Sequence, residues 1–291
     1  MRSVTRDSVT QTFVELMAPE TSPRLRFVLE RLAAHLHDFA RETELTHEEW
    51  QTGIGLLTKA GEITTPERNE FVLFSDVLGL SSLVDMIHST QDATNSSVLG
   101  PFHITGAPDL PVGGDLKGDN DGATVLVEGF VRCRSGAPIE GAVLEIWQTA
   151  DNGLYSNQDA AQPEYNLRAR QVTGPDGRYA FTTIRPAPYT VPDDGPVGTL
   201  LHATGRHPWR PSHLHFIVEA AGYRTLVTEV FPDDDPYLDA DAVFGVREDL
   251  IMQYQKRTDA SGIAPDIAAR DRMSNPYYVV DFDFVLAETP E

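Results

Sequence analysis

The sequence predicts a mainly β protein with some α structure, a β-sandwich that follows a helical N-terminal region. Before about residue 100, apolar residues recur at steps of three and four, and Gly and Pro are sparse. After it, Gly and Pro become frequent and apolar residues alternate with polar ones, in short runs that are typical of a β-sandwich. We therefore divide the chain into a helical region, residues 1–99, and a sandwich domain, residues 100–291.

Three helices are predicted in the first region. Ser22 and Pro23 form a start signal for the first helix, and its apolar stripe then consists of Leu25, Val28, Leu29, Leu32, Leu36 and Phe39. Thr46 and Glu49 have the spacing of a capping box and open a second helix. A third helix is expected from about residue 66 to residue 87, broken or bent near Gly79. These apolar stripes need a partner, either the sandwich or a second copy of the chain.

Six runs of the second region have the alternation of strands. They cover residues 125–130, 142–147, 178–184, 213–218, 225–231 and 280–286. A turn at residues 173–177 leads into the third of these runs.

Composition limits the partners and the setting. Acidic residues number 44 and basic residues 23, so the net charge is −21, and we expect no binding to nucleic acid or to an anionic membrane. The one cysteine, Cys133, cannot form an internal disulfide. No signal-peptide pattern and no transmembrane-length apolar run is visible, so a cytoplasmic protein is expected.

Two histidines on a predicted strand are candidates for metal binding. His213 and His215 are two residues apart, so their side chains share one face and can converge on one ion. His35 and His37 have the same spacing on a predicted helix, where they point about 200° apart. The alternative is a pair of satisfied polar residues at a sheet end. A zinc hydrolase is weakly supported, because no third nitrogen or carboxylate ligand stands at a suitable spacing.

Two tyrosines stand in Gly- or Pro-containing loops that directly follow predicted strands. Tyr155 follows Gly153 and Leu154, and Tyr189 follows Pro188. Taken singly, each is better interpreted as a structural tyrosine at a sheet corner.

Taken together, these residues and four motifs resemble the intradiol ring-cleavage dioxygenases, a non-haem iron(III) family that opens catechols. The motifs are LEIWQ at 144–148, GLYS at 153–156, NLRARQVTGPDGRYAF at 166–181 and GRHPWRPSHLHF at 205–216. The resemblance covers most of the chain. It implies that one iron(III) per chain is bound by Tyr155, Tyr189, His213 and His215. It also implies that Tyr189 takes up a substrate proton and that Arg210 faces the ring and stabilises its negative charge.

The chemistry of the implied ligands suits a hard cation. An unperturbed tyrosine has a pKa of about 10, so a phenolate at neutral pH needs a strong local cation such as a trivalent ion. One departure stands at Glu229, where catechol-cleaving relatives usually carry glutamine. The role of Glu229 stays open at this point.

Within the family, the chain is most similar to the hydroxyquinol 1,2-dioxygenases. The supporting segments are FSDVLG at 74–79, VLGPF at 98–102, DGPV at 194–197 and DAVFGV at 241–246. The resemblance implies a pocket lined by Leu73, Asp76, Val98, Leu99, Gly100, Phe102, Val191, Pro192, Arg210 and Val243. Asp76 is suited to hydrogen-bond an additional ring hydroxyl.

The implied reaction cleaves 1,2,4-trihydroxybenzene between adjacent hydroxyls with O2, giving 3-hydroxy-cis,cis-muconate, the enol form of maleylacetate. A catechol or chlorocatechol 1,2-dioxygenase is the alternative within the family. A non-catalytic, prealbumin-like sandwich that serves as a binding module is the alternative from another class. The resemblance also implies that the helical region forms a homodimer interface, where some family members hold a lipid.

Overall fold

The computed structural model describes residues 3–65 and 68–289. Its contacts divide the chain into two compact units, Met1–Lys59 and Ala60–Glu291, which are described separately below. The domain boundary expected between residues 99 and 100 stays a prediction. Among the described residues, no single helix is long and apolar enough to cross a membrane, although one helix pair bent by 71° meets the length and composition criteria jointly.

The first unit is helical. It contains α1 (Val9–Glu15), α2 (Pro23–Glu42) and most of α3, which spans His47–Ile63 and ends in the second unit. The predicted start of α2 is confirmed, because Ser22 Oγ accepts the Leu25 amide at 3.4 Å. The capping box of α3 is confirmed as well: Glu49 Oε2 accepts the Thr46 amide at 2.9 Å and Thr46 Oγ1 accepts the Glu49 amide at 3.2 Å. The short helix α1, which buries no residue, was not predicted.

An apolar surface in this unit stays uncovered in the single chain. Its residues on α2 and α3 are each between 47% and 57% exposed, and they are Leu25, Leu32, Leu36, Phe39, Trp50, Ile54 and Leu57. Exposed apolar patches of this kind mark interaction surfaces.

In the second unit two helices cover the region where a helix broken or bent near Gly79 was predicted, and the break is confirmed. They are α4 at Glu70–Val77 and α5 at Leu80–His88, and the break falls at Gly79, whose φ of 76° is the left-handed conformation that glycine adopts without strain. The predicted start at residue 66 lies outside the described residues. A further helix, α6 at Pro196–Ala203, was not predicted. Its Val197 amide donates to Glu70 Oε1 at 3.0 Å, which fastens α6 to α4.

Two sheets make up the rest of this unit. The first has the order β1 (Gly114–Asp115), β5 (Arg178–Ile184), β2 (Thr124–Cys133), β12 (Tyr277–Asp281) and β11 (Gln255–Arg257), and β13 (Phe284–Leu286) also pairs with β2. The second has the order β10 (Ile251–Met252), β9 (Leu226–Pro232), β8 (Leu214–Glu219), β3 (Val143–Trp147) and β4 (Arg168–Val172). A separate ribbon joins β6 (Tyr189–Thr190) to β7 (Trp209–Arg210).

The main core lies between the two sheets, which confirms the predicted sandwich. Val127 and Phe181 of the first sheet join one buried cluster with Leu144, Phe216 and Val230 of the second. Burial of this apolar surface is the main stabilising contribution to such a fold.

The last predicted strand is two strands in the structure. The interruption has a physical cause at Phe282 and Asp283. A Cβ at Gly129 would lie 1.8 Å from Phe282 O, so the chain crosses β2 in close contact there, and Asp283 Oδ1 accepts the Phe130 amide at 2.8 Å. The Asp283 carboxylate thus accepts the Phe130 amide hydrogen bond that a backbone carbonyl would accept in a continuous strand.

Candidate metal centre

Four polar side chains meet at one end of the second sheet. His215 lies on β8 and His213 directly precedes that strand, while Tyr189 lies on β6 and Tyr155 lies in the loop after β3. All four side chains are buried. The alternation of β8 places both histidines on one face, as the sequence predicted.

The reactive atoms of these side chains form a compact cluster. Tyr155 Oη lies 3.0 Å from His215 Nε2, 3.3 Å from His213 Nε2 and 3.4 Å from Tyr189 Oη, and the two Nε2 atoms are 3.1 Å apart. We call Tyr155, Tyr189, His213 and His215 the four-donor cluster. The structure therefore brings together the four residues that the resemblance grouped.

The Nδ1 atoms of the two histidines, which are not part of the cluster contacts, have different surroundings. His213 Nδ1 lies 2.8 Å from the Pro211 carbonyl oxygen, which can only accept, so Nδ1 carries the proton and Nε2 presents a lone pair to the cluster. His215 Nδ1 has no hydrogen-bond partner among the described protein atoms. Its ring instead stacks on Trp147 at 4.6 Å and 6° between the ring planes, so packing fixes its orientation.

Burial keeps the cluster neutral. It raises the pKa of both tyrosines, that of Tyr155 well above its ordinary value with Tyr189 beside it contributing further. It lowers the pKa of His213 and His215. Two neutral imidazoles and two phenols in contact are a site that only a strong cation would convert into phenolate ligands.

Arg210 borders the cluster and is held by two buried carboxylates. It donates from Nη1 and Nη2 to the two oxygens of Glu229, at 2.8 and 3.0 Å, and from Nε and Nη2 to those of Asp241, at 3.1 and 3.2 Å. Burial opposes the charge of Arg210, but Asp241 and Glu229 raise its pKa well above its ordinary value. Its Nη1 also lies 3.4 Å from Tyr189 Oη.

Glu229 lies beside the two histidines. The sequence showed no third carboxylate at a suitable spacing for a zinc site and left the role of Glu229 open. In the structure Glu229 lies opposite His215 on β9, with Oε1 3.4 Å from His213 Nε2. Within the described part of the chain, His213, His215 and Glu229 form a group of metal-ligating residue types. The Glu229 oxygens, however, already accept hydrogen bonds from Arg210 and, at 2.7 Å, from Ser97 Oγ. The sequence could not give this geometry, because it depends on the register between β8 and β9.

Comparison with known proteins agrees with this geometry. The family described as "Dioxygenase" matches residues 100–288, and the one described as "Catechol dioxygenase N terminus" matches residues 22–96. The chain belongs to the intradiol ring-cleavage dioxygenase family. Members of this family use non-haem iron, and the non-catalytic sandwich is thereby set aside.

The relatives of this intradiol dioxygenase align along almost the whole chain. Hydroxyquinol 1,2-dioxygenase of Rhizobium sp. (strain MTP-10005) is 44% identical over 95% of this chain and 94% of its own length. That of Nocardioides simplex is 45% identical over 91% of this chain and 89% of its own length. The solved hydroxyquinol 1,2-dioxygenase from Pseudomonas putida DLL-E4 is 43% identical, with a TM-score of 0.88 and coverage of 98% and 99% of the two chains.

The expected pocket residues of the dioxygenase other than Arg210 are found in four places. Leu73, Val98, Val191 and Val243 belong to one buried apolar cluster. Asp76, Val98, Leu99 and Gly100 line a cavity of about 540 Å³, and a Cβ at Gly100 would lie 3.8 Å from His215 Cε1. Phe102 stacks on Tyr155, with ring centroids 4.9 Å apart. Pro192 is half-buried directly after Val191, and Leu99 is exposed.

Asp76 is buried in the wall of this cavity. Burial raises the pKa of its carboxyl, and Ser81 and Arg210 oppose that rise. A buried carboxyl facing a cavity is suited to hydrogen-bond a polar group of a bound molecule.

Arg168 is a buried arginine that sequence reasoning did not select. It lies on β4, a strand that was not predicted, within the motif at residues 166–181. Burial lowers the pKa of Arg168 to about 10, so it is a cation at neutral pH. Its Cζ lies 5.8 Å from the centre of the Tyr155 ring.

Proposed function

We propose that this chain is an iron(III) dioxygenase that cleaves hydroxyquinol between its adjacent hydroxyls. The observation that carries the reaction type is the four-donor cluster of two buried phenols and two buried imidazoles. Relatives named hydroxyquinol 1,2-dioxygenase match at 44% and 45% identity, against 36% for catechol 1,2-dioxygenase of Candida albicans, and this supports the substrate.

The donor set fits a single metal ion. Bonds of about 2.0–2.1 Å to a central ion place neighbouring donors about 2.8–3.4 Å apart, and the four atoms lie 3.0–3.4 Å from one another in the measured pairs. Tyr155, Tyr189, His213 and His215 would hold one iron(III) per chain. Phenolate favours the trivalent over the divalent ion, because it is a hard anionic donor. When bound, iron(III) supplies Lewis acidity that draws electron density from a coordinated diol and makes its ring reactive toward O2.

The chain's own residues handle the proton and the charge. In the phenolate form that a bound iron(III) would favour, Tyr189 Oη would accept a proton from a substrate hydroxyl. Arg210 has one remaining Nη1–H, because Glu229 and Asp241 occupy its other N–H groups, and Nη1 lies 3.4 Å from both Tyr189 Oη and His213 Nε2. This N–H stabilises negative charge that develops beside Tyr189 Oη. Arg210 thus acts through this one N–H, because its two carboxylate partners already oppose its positive charge.

Asp76 and the apolar cluster position the ring. Asp76 lies in the cavity wall and would accept or donate a hydrogen bond to the hydroxyl that distinguishes hydroxyquinol from catechol. Leu73, Val98, Val191 and Val243 exclude water on the apolar side. The reaction joins one hydroxyquinol to one O2 and releases no other product. Both oxygen atoms therefore enter 3-hydroxy-cis,cis-muconate, and no reductant is consumed.

The test combines iron content, colour and substrate rates. The purified iron-loaded protein should be red from tyrosinate-to-iron charge transfer and should consume one O2 per hydroxyquinol, with a higher kcat/KM than on catechol or a chlorocatechol. Tyr155→Phe and His215→Ala should lose iron or activity. A colourless protein at full iron occupancy would contradict the ligand set, and faster turnover of catechol would contradict the substrate.

We also propose that the chain is a homodimer through the exposed apolar surface of α2 and α3. About half of each side chain on that surface is accessible in the single chain, and such a surface is stable when a second copy covers it. A lipid bound between the two copies would fill any remaining apolar gap.

A further inference from the structure

The loop at residues 241–246 contributes to two parts of the site at once. Asp241, at its start, accepts hydrogen bonds from Arg210 at 3.1 and 3.2 Å. Val243, in its middle, is buried in the apolar cluster that also contains Leu73 of α4. The backbone path of this loop therefore fixes both the clamp on Arg210 and part of the apolar cluster.

Phe244 gives this loop a backbone conformation that a bulky side chain disfavours. Its φ of 57° lies in the left-handed region, where such a residue persists only when its surroundings hold it. Its carbonyl accepts hydrogen bonds from Ser82 Oγ at 2.7 Å and from Arg247 Nη1 at 2.8 Å. Its ring packs at the break between α4 and α5, where a Cβ at Gly79 would lie 3.3 Å from Phe244 Cδ2. Contacts from other segments thus hold the loop in a strained path.

Arg206 joins this loop to α4 through three contacts of one side chain. Its Nη1 donates to the Val77 carbonyl at 2.5 Å, and its Nη2 donates to the Ala242 carbonyl at 2.8 Å. Its Cζ lies 4.8 Å from the centre of the Phe244 ring. Val77 is the last residue of α4, so its carbonyl has no acceptor role within the helix and is free for Arg206. Because Asp76 directly precedes Val77, Arg206 connects the end of α4 that carries Asp76 to the loop.

We propose that Arg206 is a positioning residue that sets the selectivity of the site for a ring with a third hydroxyl. The inference rests on the proposed function, in which Asp76 hydrogen-bonds that hydroxyl. Arg206 fixes the distance between Asp76 on α4 and the loop at residues 241–246. A displacement of Asp76 weakens its hydrogen bond to hydroxyquinol, because such a bond depends steeply on distance and angle. Catechol lacks this hydroxyl, so the same displacement affects catechol less.

An arginine that only stabilises the fold makes a different prediction. Its loss would lower Tm and would reduce kcat/KM by a similar factor for both substrates. Loss of positioning would instead reduce kcat/KM for hydroxyquinol more than for catechol. The ratio of the two kcat/KM values separates these roles, because it does not depend on the fraction of protein that is active.

The experiment compares Arg206→Met and Arg206→Lys with the matched control Arg132→Met. Arg132 makes the same kinds of contact on β2 of the first sheet: its Cζ lies 4.5 Å from the centre of the Phe130 ring, and its Nη1 donates to the Gly136 carbonyl at 3.2 Å. For each variant, kcat/KM is measured on hydroxyquinol and on catechol, and iron content and Tm are recorded. Dissociation constants of both substrates, measured without O2, give the same comparison independently of turnover.

We expect Arg206→Met to lower the hydroxyquinol-to-catechol ratio about tenfold, as for the loss of one hydrogen bond, at an unchanged iron content. Arg206→Lys keeps the positive charge, but its single ammonium lacks the fork that reaches both carbonyls, so the ratio should fall by about threefold or more. Arg132→Met should keep the wild-type ratio.

A wild-type ratio in Arg206→Met would overturn the proposal, whatever the loss of stability. A wild-type ratio in Arg206→Lys would overturn it too, because charge without the bridge would then suffice, and this variant decides the matter if Arg206→Met does not fold. An equal fall in Arg132→Met would assign the effect to general destabilisation. A wild-type protein that lacks iron, or that turns over neither substrate, would count against the proposed function and against the inference that depends on it.

Discussion

Acceptors enclose Arg210 and leave one Nη1–H for the four-donor cluster, where Nη1 lies 3.4 Å from both Tyr189 Oη and His213 Nε2. Asp241 is held in turn by the amides of Val243 and Gly245, at 3.2 and 2.8 Å. Ser97 Oγ lies 2.7 Å from both Glu229 Oε2 and the Gly245 carbonyl. The loop that begins at Asp241 therefore wraps the guanidinium closely, and the direction of its free N–H depends on that fit.

Replacing Gly245 by alanine tests this fit. A Cβ there would lie 2.7 Å from Arg210 Nη2 and 2.8 Å from Glu229 Oε2, so the clamp must move. We expect Gly245→Ala to destabilise the protein by about 1–3 kcal/mol and to lower kcat by about tenfold or more. Chemical denaturation and steady-state kinetics measure the two effects. Gly262→Ala, where a Cβ meets nothing within 4 Å, is the control and should stay near the wild type. Unchanged kcat in Gly245→Ala would show that the clamp geometry is not needed.

At the scale of elements, α5 carries a carboxyl whose ionisation opposes folding. Burial raises the pKa of Asp85 to about 6, while Arg247 and His88 oppose the rise and Glu229 and Asp76 add to it. In the unfolded chain an aspartate has a pKa of about 3.9. Between these values the folded state binds the extra proton, so stability falls as pH rises through this range.

The corresponding prediction concerns Asp85→Asn. The free energy of unfolding of the wild type should decrease between about pH 4 and pH 6.5 by about 1 kcal/mol more than that of the variant, after allowing for partial solvent screening. Urea denaturation of the metal-free protein at several pH values gives both curves. Parallel curves would mean that Asp85 does not carry this dependence.

Helices and strands whose apolar residues recur at a regular spacing were predictable from the sequence, and the other elements were not. The strand at Arg178–Ile184 was predicted residue for residue, and the capped helices α2 and α3 began where expected. Strand β4 was missed because it buries Arg168 and Gln171, so its inward face is not apolar. The helix α6 was missed because its eight residues lie between turn-forming residues and are too short for a period to show.

At the scale of the whole molecule, the exposed apolar surface of α2 and α3 predicts an oligomer. Charged side chains introduced on this surface should disrupt it. Leu32→Glu combined with Leu36→Glu should convert a dimer into a monomer, because each leucine is more than half exposed in the single chain and a charge in a buried interface is costly. Light scattering after gel filtration measures the mass. Glu30→Lys, about 200° round the helix from Leu32, should leave the dimer intact. A wild-type protein that is a monomer at micromolar concentration would contradict the proposed dimer.

The sequence by itself determined the fold class, the family, and the identity of the residues that now form the four-donor cluster. It could do so because period-two alternation sets which side chains share a face and because the motifs preserve residue type and order. Only the tertiary structure decided the distances within the cluster, the place of Glu229 beside both histidines, and the enclosure of Arg210 and Arg168. These depend on strand register and on contacts between segments far apart in the chain, such as Phe102 with Tyr155 and Arg210 with Asp241. Local sequence does not encode such contacts, because they arise only when the two sheets pack together.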